Sequence, residues 1–415
     1  MLFDGLSEMR LSDVVAQTFA GAWGENPSDG MSENVYVIRA TNIDSEGLIN
    51  FARSAPRVFS RKELGCKRLK AGDLILEASG GGPGTPVGRV ALFVGGPGKL
   101  PYACSNFFRV LRPNLDRVFP EYLAFLLDKI YRSTSIWRFQ QQTTGIVNLR
   151  FSDYLEQRLM LPPLREQEEV VAAIHNVSSQ QRVIEASVAK LDQLRKGVLD
   201  SMLSPAKAGE AVWPVRCLGN VAEVRGGLTL GGVTAGGRVA EVPYLRVANV
   251  RDGYISTGEI KTVRVTPSEV IRYRLQAGDV LITEGGDFDK LGRGGVWDGR
   301  IDPCLHQNHI FRVRCERNVL LPEFLALYLS SRGGKSYFLR VAKRTTNLAS
   351  VSSSQVKVMP VPCPHVTEQK RMVDVLSVHD AAIAAEGREL TKLQSLKLGL
   401  IDSQVRGGDG ALVSN

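Results

Sequence analysis

The sequence contains no apolar run approaching the ~18–20 residues that a membrane span requires. Residues 1–10 carry acids where a signal peptide would be basic, so a cytoplasmic protein is expected. The six cysteines (Cys66, Cys104, Cys217, Cys304, Cys315, Cys363) include no C-x-x-C pair. That spacing indicates neither a zinc cluster nor a redox motif, and reduced, mostly buried thiols are expected. Compositional extremes are lacking too, with 43% hydrophobic and 23% charged residues. Such values exclude a disordered tail and a disulfide-stapled mini-scaffold. At 415 residues the chain exceeds one ordinary domain, and two or more are expected. Lys and Arg total 52 against 43 acids, and this +9 suits a polyanionic partner without singling one out.

Catalytic constellations are scarce. Gly333-Gly-Lys-Ser336 imitates the end of a phosphate-binding loop, but Leu329 stands where the pattern needs glycine. His306 and His309 have no third metal ligand at a recognisable spacing. Asp279, Asp287 and Asp289 faintly suggest a nuclease carboxylate cluster, yet the last acid lies directly beside Lys290. There is no Asn-Pro-Pro-aromatic loop of an amino-methyltransferase and no hydrolase elbow. Two glycine-rich stretches, Ser79–Gly84 and Glu284–Asp287, follow strand signals but precede no helix, which argues against a dinucleotide site. They read either as hairpins needing glycine geometry or as loops bringing amides and an arginine close to DNA.

What the chain does contain is itself, twice. Leu69-Lys-Ala-Gly-Asp-Leu-Ile-Leu76 returns as Leu275-Gln-Ala-Gly-Asp-Val-Leu-Ile282, an offset of 206. Phe108-Arg-Val110 returns as Phe311-Arg-Val313 at 203, and Pro120-Glu-Tyr-Leu-Ala124 as Pro322-Glu-Phe-Leu-Ala326 at 202. Glu166-Gln167 matches Glu368-Gln369, and Lys190 to Ser201 matches Lys392 to Ser403, both at 202. Unbroken order with a slowly drifting offset means two copies that differ by small loop changes.

Each copy begins with short apolar runs punctuated by Gly, Pro, Asn and Asp, among them Val35–Ile38, Asp73–Leu76, Gly88–Phe93, Tyr244–Val247 and Val280–Thr283. These predict strands, with helices near Tyr122–Ile130 and Phe324–Ser330. Each then changes period. Arg165 to Leu203 has no proline and one glycine, and Val170, Ile174, Val177, Ile184, Val188, Leu191, Leu194 and Val198 recur at helical spacing. A helix of that length would span roughly 58 Å. Its twin runs from about Thr367 to Val405, with Val373, Leu376, Ile383, Leu390, Leu393, Leu396 and Leu400 on its face. Proline-containing segments precede both. The expected fold is α+β: two tandem mixed globules at 1–163 and 211–365, related by an internal pseudo-twofold repeat. Long helices at 164–210 and 366–415 would pack as an antiparallel coiled coil. The first dozen residues show no clear strand pattern.

This duplicated layout resembles the specificity (S) subunits of type I restriction–modification enzymes. The likeness rests on the Gly-Asp-Leu-Ile-Leu and Gly-Asp-Val-Leu-Ile segments, Thr144-Gly-Ile-Val-Asn-Leu149, Leu161-Pro-Pro-Leu-Arg-Glu-Gln167 and Lys190-Leu-Asp-Gln-Leu-Arg-Lys-Gly197. Glu284–Arg293, His306–Val313 and Thr345-Thr-Asn-Leu348 add to it, and the match spans nearly the whole chain. The second helix start departs from the first, reading Pro-Cys-Pro-His-Val-Thr-Glu-Gln. The resemblance implies two target-recognition domains, each reading half of an interrupted, asymmetric sequence in double-stranded DNA. It further implies helices that act as a spacer and dock two methyltransferase subunits, and a motor nuclease subunit that completes the complex. S-adenosylmethionine would belong to the methyltransferases, with no cofactor or metal held by this chain and no catalysis by it.

Base edges are read by Arg, Lys, Asn and Gln. Candidate readers at matching places are Arg39 and Asn42 against Arg246 and Asn249, Ser79 and Arg89 against Asp287, Lys290 and Arg293, and Asn106 against His306, Gln307 and Asn308. The basic run Arg53, Arg57, Arg61, Lys62, Lys67, Arg68 and Lys70 suits phosphates or solvent. Competing readings are a type IIB-like component that contributes to cleavage and a coiled-coil scaffold. The charge favours DNA in the globules. Residues 1–163 hold +3 and residues 211–365 hold +8, whereas 164–210 and 366–415 hold −1 each.

Overall fold

The computed structural model describes residues 5–28, 30–82, 84–143, 145–204, 213–229, 239–286, 291–344 and 349–409. Its contacts separate two compact units, Met1–Ile184 with Glu389–Asn415, and Glu185–Arg388.

In the first unit a four-stranded antiparallel sheet runs in the order Val15–Ala20, Phe108–Pro113, Asp73–Glu77, Val90–Phe93. Both faces are covered, which is why the Asp73–Glu77 strand reads as a continuous apolar run without alternation. Leu74 and Leu76 pack with Tyr122, Leu123 and Leu127 of the helix Pro120–Arg132. Ile75 faces the other way, into a cluster with Ile38, Phe93, Tyr102, Phe108 and Val110. A second sheet, Ala55–Arg57, Val35–Ile38 and Tyr102–Cys104, pairs its last two strands in parallel. Residues 7–10, which show no strand signal in the sequence, pair antiparallel with Arg158–Leu161 just ahead of the first long helix.

The second unit repeats this plan. Its four-stranded sheet is Ala222–Gly226, Ile310–Cys315, Val280–Thr283, Gly294–Val296, and its mixed sheet is Lys261–Val265, Ala240–Leu245, Leu305–His306. Val215–Cys217 pairs with Pro360–Pro362 as residues 7–10 pair with Arg158–Leu161. The register corrects one sequence correspondence. Leu74 lies opposite Leu111, and its repeat Val280 lies opposite Val313, so the equivalence between these strands is 202 and not 203. Arg312 therefore occupies the place of Val110, and Arg314 that of Arg112.

The Ala-Gly-Asp motif has a local cause. Gly72 and Gly278 both adopt φ +92°, which favours glycine at this turn position. The carboxylates of Asp73 and Asp279 accept hydrogen bonds at 2.7 Å from the amides of Lys70 and Gln276, closing the turn that launches each central strand. Asp279 thus serves the turn and pairs with Arg314 at 2.7 Å, while Asp287 and Asp289 lie outside the described residues. The Gly333-Gly-Lys-Ser336 stretch lies inside a helix, Arg332–Val341, for which the sequence gives no signal. There Gly334 permits close approach, because a Cβ would fall 2.2 Å from the Tyr328 carbonyl oxygen.

The long helices are Leu164–Met202 and Val366–Asp409. Each is pinned at its start by a fully buried glutamine. Gln167 accepts from the Phe119 amide at 2.8 Å and donates to the Pro162 carbonyl at 2.8 Å; Gln369 does the same with Leu321 and Pro364. Within the second unit the two helices run antiparallel, Ser187 donating to Glu386 at 2.8 Å and Arg195 pairing with Asp380.

Of the residues expected on the packing faces, Ile174, Val177, Leu376 and Leu393 are buried. Val170, Ile184, Val188, Leu191, Ile383 and Leu390 are half-buried. Leu194 and Leu396 are not on the seam and stand exposed. The reason is the alternating three–four step of a heptad: after Val188 and Leu191 the next inward position is 195, which Arg195 occupies. Asp200 accepts from the Arg332 amide at 3.2 Å, and its repeat Asp402 pairs with Lys129 at 2.9 Å. Each unit thus holds the start of one long helix and the end of the other against its sheet domain.

Candidate DNA-reading surface

Several predicted readers are consumed by internal bonds. The Asn42 side chain is buried; it accepts from the Arg39 amide at 2.9 Å and donates to the Asn50 carbonyl at 3.0 Å. Asn249 repeats this with the Arg246 amide at 2.9 Å and the carbonyls of Ser256 and Glu259. Both asparagines close a turn and present nothing to a base edge, a correction to their expected role. Their type is needed because one amide must both accept and donate in the same turn. Arg39 donates to the Arg53 carbonyl at 2.6 Å, and Arg246 pairs with Glu259 at 2.9 Å. Arg89 is likewise structural in this conformation, donating to the Ile43 carbonyl at 2.9 Å and pairing with Glu77 at 3.3 Å. Burial pushes the Glu77 carboxyl up, with the Arg89 charge opposing.

His306 is also corrected. It is buried, with Nδ1 3.2 Å from the Tyr273 carbonyl oxygen. Burial and the neighbouring Arg312 charge lower its pKa to about 4, so it is neutral near pH 7. Arg293 is half-buried, and its carbonyl accepts from the Thr283 amide at 3.0 Å. Asp287 and Lys290 lie outside the described residues. Among the described residues no group of three or more His, Cys, Asp or Glu could hold a metal ion.

Other candidates do converge. The glycine-rich stretch forms a short strand, Ser79–Gly81, against Ile146–Leu149 of the Thr144–Leu149 motif. Ser79 Oγ donates to Asn148 Oδ1 at 2.6 Å. The Phe107 carbonyl accepts from the amides of Ala78 and Ser79, bringing exposed Asn106 and Phe107 beside that strand. The second unit places Asn308 and His309 at the corresponding turn, with Gln307 half-buried alongside. There the His309 carbonyl accepts from the Glu284 amide at 2.9 Å, and its Nδ1 lies 2.8 Å from Glu284 Oε2. Asn106 therefore corresponds to Asn308, and the exposed aromatic Phe107 to His309. Sequence reasoning did not single out Phe107, since an aromatic residue beside a strand gives no local sign of facing water. Polar hydrogen-bonding groups and a ring on one turn suit base-edge contact and contact with a thymine methyl.

Two mixed α+β units, each presenting such a turn, define a duplicated recognition protein. The sequence profile of the family described as "Type I restriction modification DNA specificity domain" matches residues 39–193 and again 211–395, and the chain belongs to this family. A Methanocaldococcus jannaschii chain carrying the name type I restriction enzyme MjaX specificity subunit is 27% identical over 191 residues, covering 46% of this chain and 44% of that one. The type I restriction enzyme EcoKI specificity subunit of Escherichia coli is 24% identical over 336 residues, 74% of this chain and 70% of that one. A chain from a solved structure on the assembly and conformational transition of a type I R-M system shares the fold, with a TM-score of 0.60 and 18% identity, over 97% of this chain and 98% of that one.

Proposed function

We propose that this chain is the DNA-recognition subunit of a type I restriction–modification complex, without catalysis of its own. The double match to the specificity-domain family carries this reading. Each unit would read one half of a bipartite sequence in double-stranded DNA, using the turns at Asn106–Phe107 and Asn308–His309. Methylating an adenine requires flipping it into an enzyme pocket, so the reader must hold a partner at a set distance. Two methyltransferase subunits, which would bind S-adenosylmethionine, and motor nuclease subunits would dock here, the long helices serving as spacer and platform. No helix among the described residues is long and apolar enough to cross a membrane, and the complex would work in the cytoplasm.

Co-expression with the partner methyltransferase, followed by mapping of methylated adenines, tests the reading. A bipartite methylated sequence that depends on this chain is expected. Exchanging residues 1–163 for those of another family member should change one half only, and inserting four residues after Lys196 should lengthen the unread gap. Methylation of the same sites without this chain, or cleavage by it alone, would overturn the proposal.

A further inference from the structure

The second unit contains a polar cavity of about 390 Å³ lined by Arg225, Gly227, Arg272, Tyr273, His306 and Arg312. Arg312 and His306 are both more than nine-tenths buried, yet Arg312 Nε and His306 Nε2 have no hydrogen-bond partner. The Arg225 backbone lies beside the imidazole, close enough to act on its protonation. Unanswered polar groups at such depth are uncommon and call for a ligand or a physical reason. One carboxylate among the described residues, Glu223, pairs with Arg225 and Arg312. Arg272 is exposed, lies over the Tyr273 ring at 5.3 Å, and has no ion-pair partner among the described residues. Arg225, Arg272 and Arg312 thus line the cavity, with Glu223 paired to two of them and Asp279, held by Arg314, also acting on Arg312 and His306.

The first unit shows that the fold does not require this arrangement. Strand register and helix caps place Phe19 where Arg225 stands, Cys66 at Arg272, Cys104 at His306 and Val110 at Arg312. Cys104 and Val110 are fully buried apolar core, with Phe19 packed against them. A buried guanidinium is costly where a valine would serve. Burial and the nearby Arg314 already depress the Arg312 pKa.

We propose that the cavity binds a phosphate group, through Arg312 and Arg272 with His306 as a third contact, in the second unit alone. Guanidiniums of a helix and a strand that line one cavity suit an oxyanion. Neutral His306 accepts from the hydroxyl of hydrogen phosphate; against a phosphodiester it takes up a proton and donates. The phosphate could come from the DNA backbone or from a free phosphate compound.

The test titrates the full chain with inorganic phosphate by calorimetry, holding ionic strength constant with chloride. Saturable binding at one site is expected, weakened at least tenfold in Arg272→Gln and abolished in Arg312→Val, which installs the first unit's residue. Should Arg312→Val fail to fold, Arg272→Gln, altered at an exposed position, decides alone. Duplex binding across a salt series then separates the sources. If DNA supplies the phosphate, Arg272→Gln lowers the slope of log affinity against log salt by about 0.9. An unchanged slope with lost phosphate binding assigns the cavity to a free phosphate compound. Absence of saturable phosphate binding by the folded wild-type chain, or equal binding by Arg272→Gln, overturns the proposal.

Discussion

Asp73 and Arg112 form a two-pronged ion pair, Nε to Oδ1 and Nη2 to Oδ2 both at 2.7 Å, and Asp279 with Arg314 repeats it at 2.7 and 2.8 Å. Each pair ties the turn at the head of the central strand to the neighbouring strand. The two aspartates are buried, so each depends on its arginine and on the turn amide.

Removing one partner strands a buried charge, which typically costs about 3–5 kcal/mol. Arg112 keeps about a fifth of its exposure (21%), so Arg112→Met is expected at the low end, roughly 3 kcal/mol. Hydrogen exchange of amides in the Asp73–Glu77 strand should accelerate in the variant, while that in Val280–Thr283 stays unchanged. Equal acceleration of both strands would contradict independent pairs.

Asn42 and Asn106 should behave oppositely. Asn42→Ala removes buried hydrogen bonds and is expected to destabilise by about 1–3 kcal/mol without altering the sequence recognised. Asn106→Ala should leave melting unchanged and weaken discrimination at one half-site by about 1–3 kcal/mol. Melting curves and methylation maps of the two variants distinguish the roles.

The helix seam gives a similar contrast. Ile174→Ala, at a buried position, should cost about 2–5 kcal/mol. Leu194→Ala, at an exposed one, should stay within about 1 kcal/mol. Arg195→Ala removes an ion pair with partly exposed partners and should cost no more than about 1 kcal/mol. Urea unfolding of the three variants tests this order, and a large loss in Leu194→Ala would place the seam elsewhere.

His306 makes stability fall with acid. Its folded pKa of about 4 lies below the unfolded value near 6.5. The unfolded chain therefore takes up the proton first. This contribution is fully present above about pH 6.5 and is lost as pH falls from there towards 4, by roughly 3 kcal/mol at most. His306→Gln should flatten that part of the stability–pH curve in the second unit. An identical curve in the variant would mean that His306 takes up its proton equally readily in the folded and unfolded chain.

The sequence by itself determined the duplication, the two long helices to within a few residues, and the strand-rich texture of the globules. Those features rest on local order: a repeated string, a helical period, a run such as Leu74-Ile-Leu76. The tertiary structure decided which polar residues face inward. Asn42 and Asn106 carry the same amide, yet one closes a turn and the other meets solvent. Arg195 displaced Leu194 from the seam because the helix must keep one face to its partner. Strand register, which the sequence match misses by one residue, set Arg312 into the sheet where Val110 sits in the first unit. Shifting a strand by one position exchanges its inner and outer faces, so a repeat read by eye can be right in its order and still assign a side chain to the wrong environment.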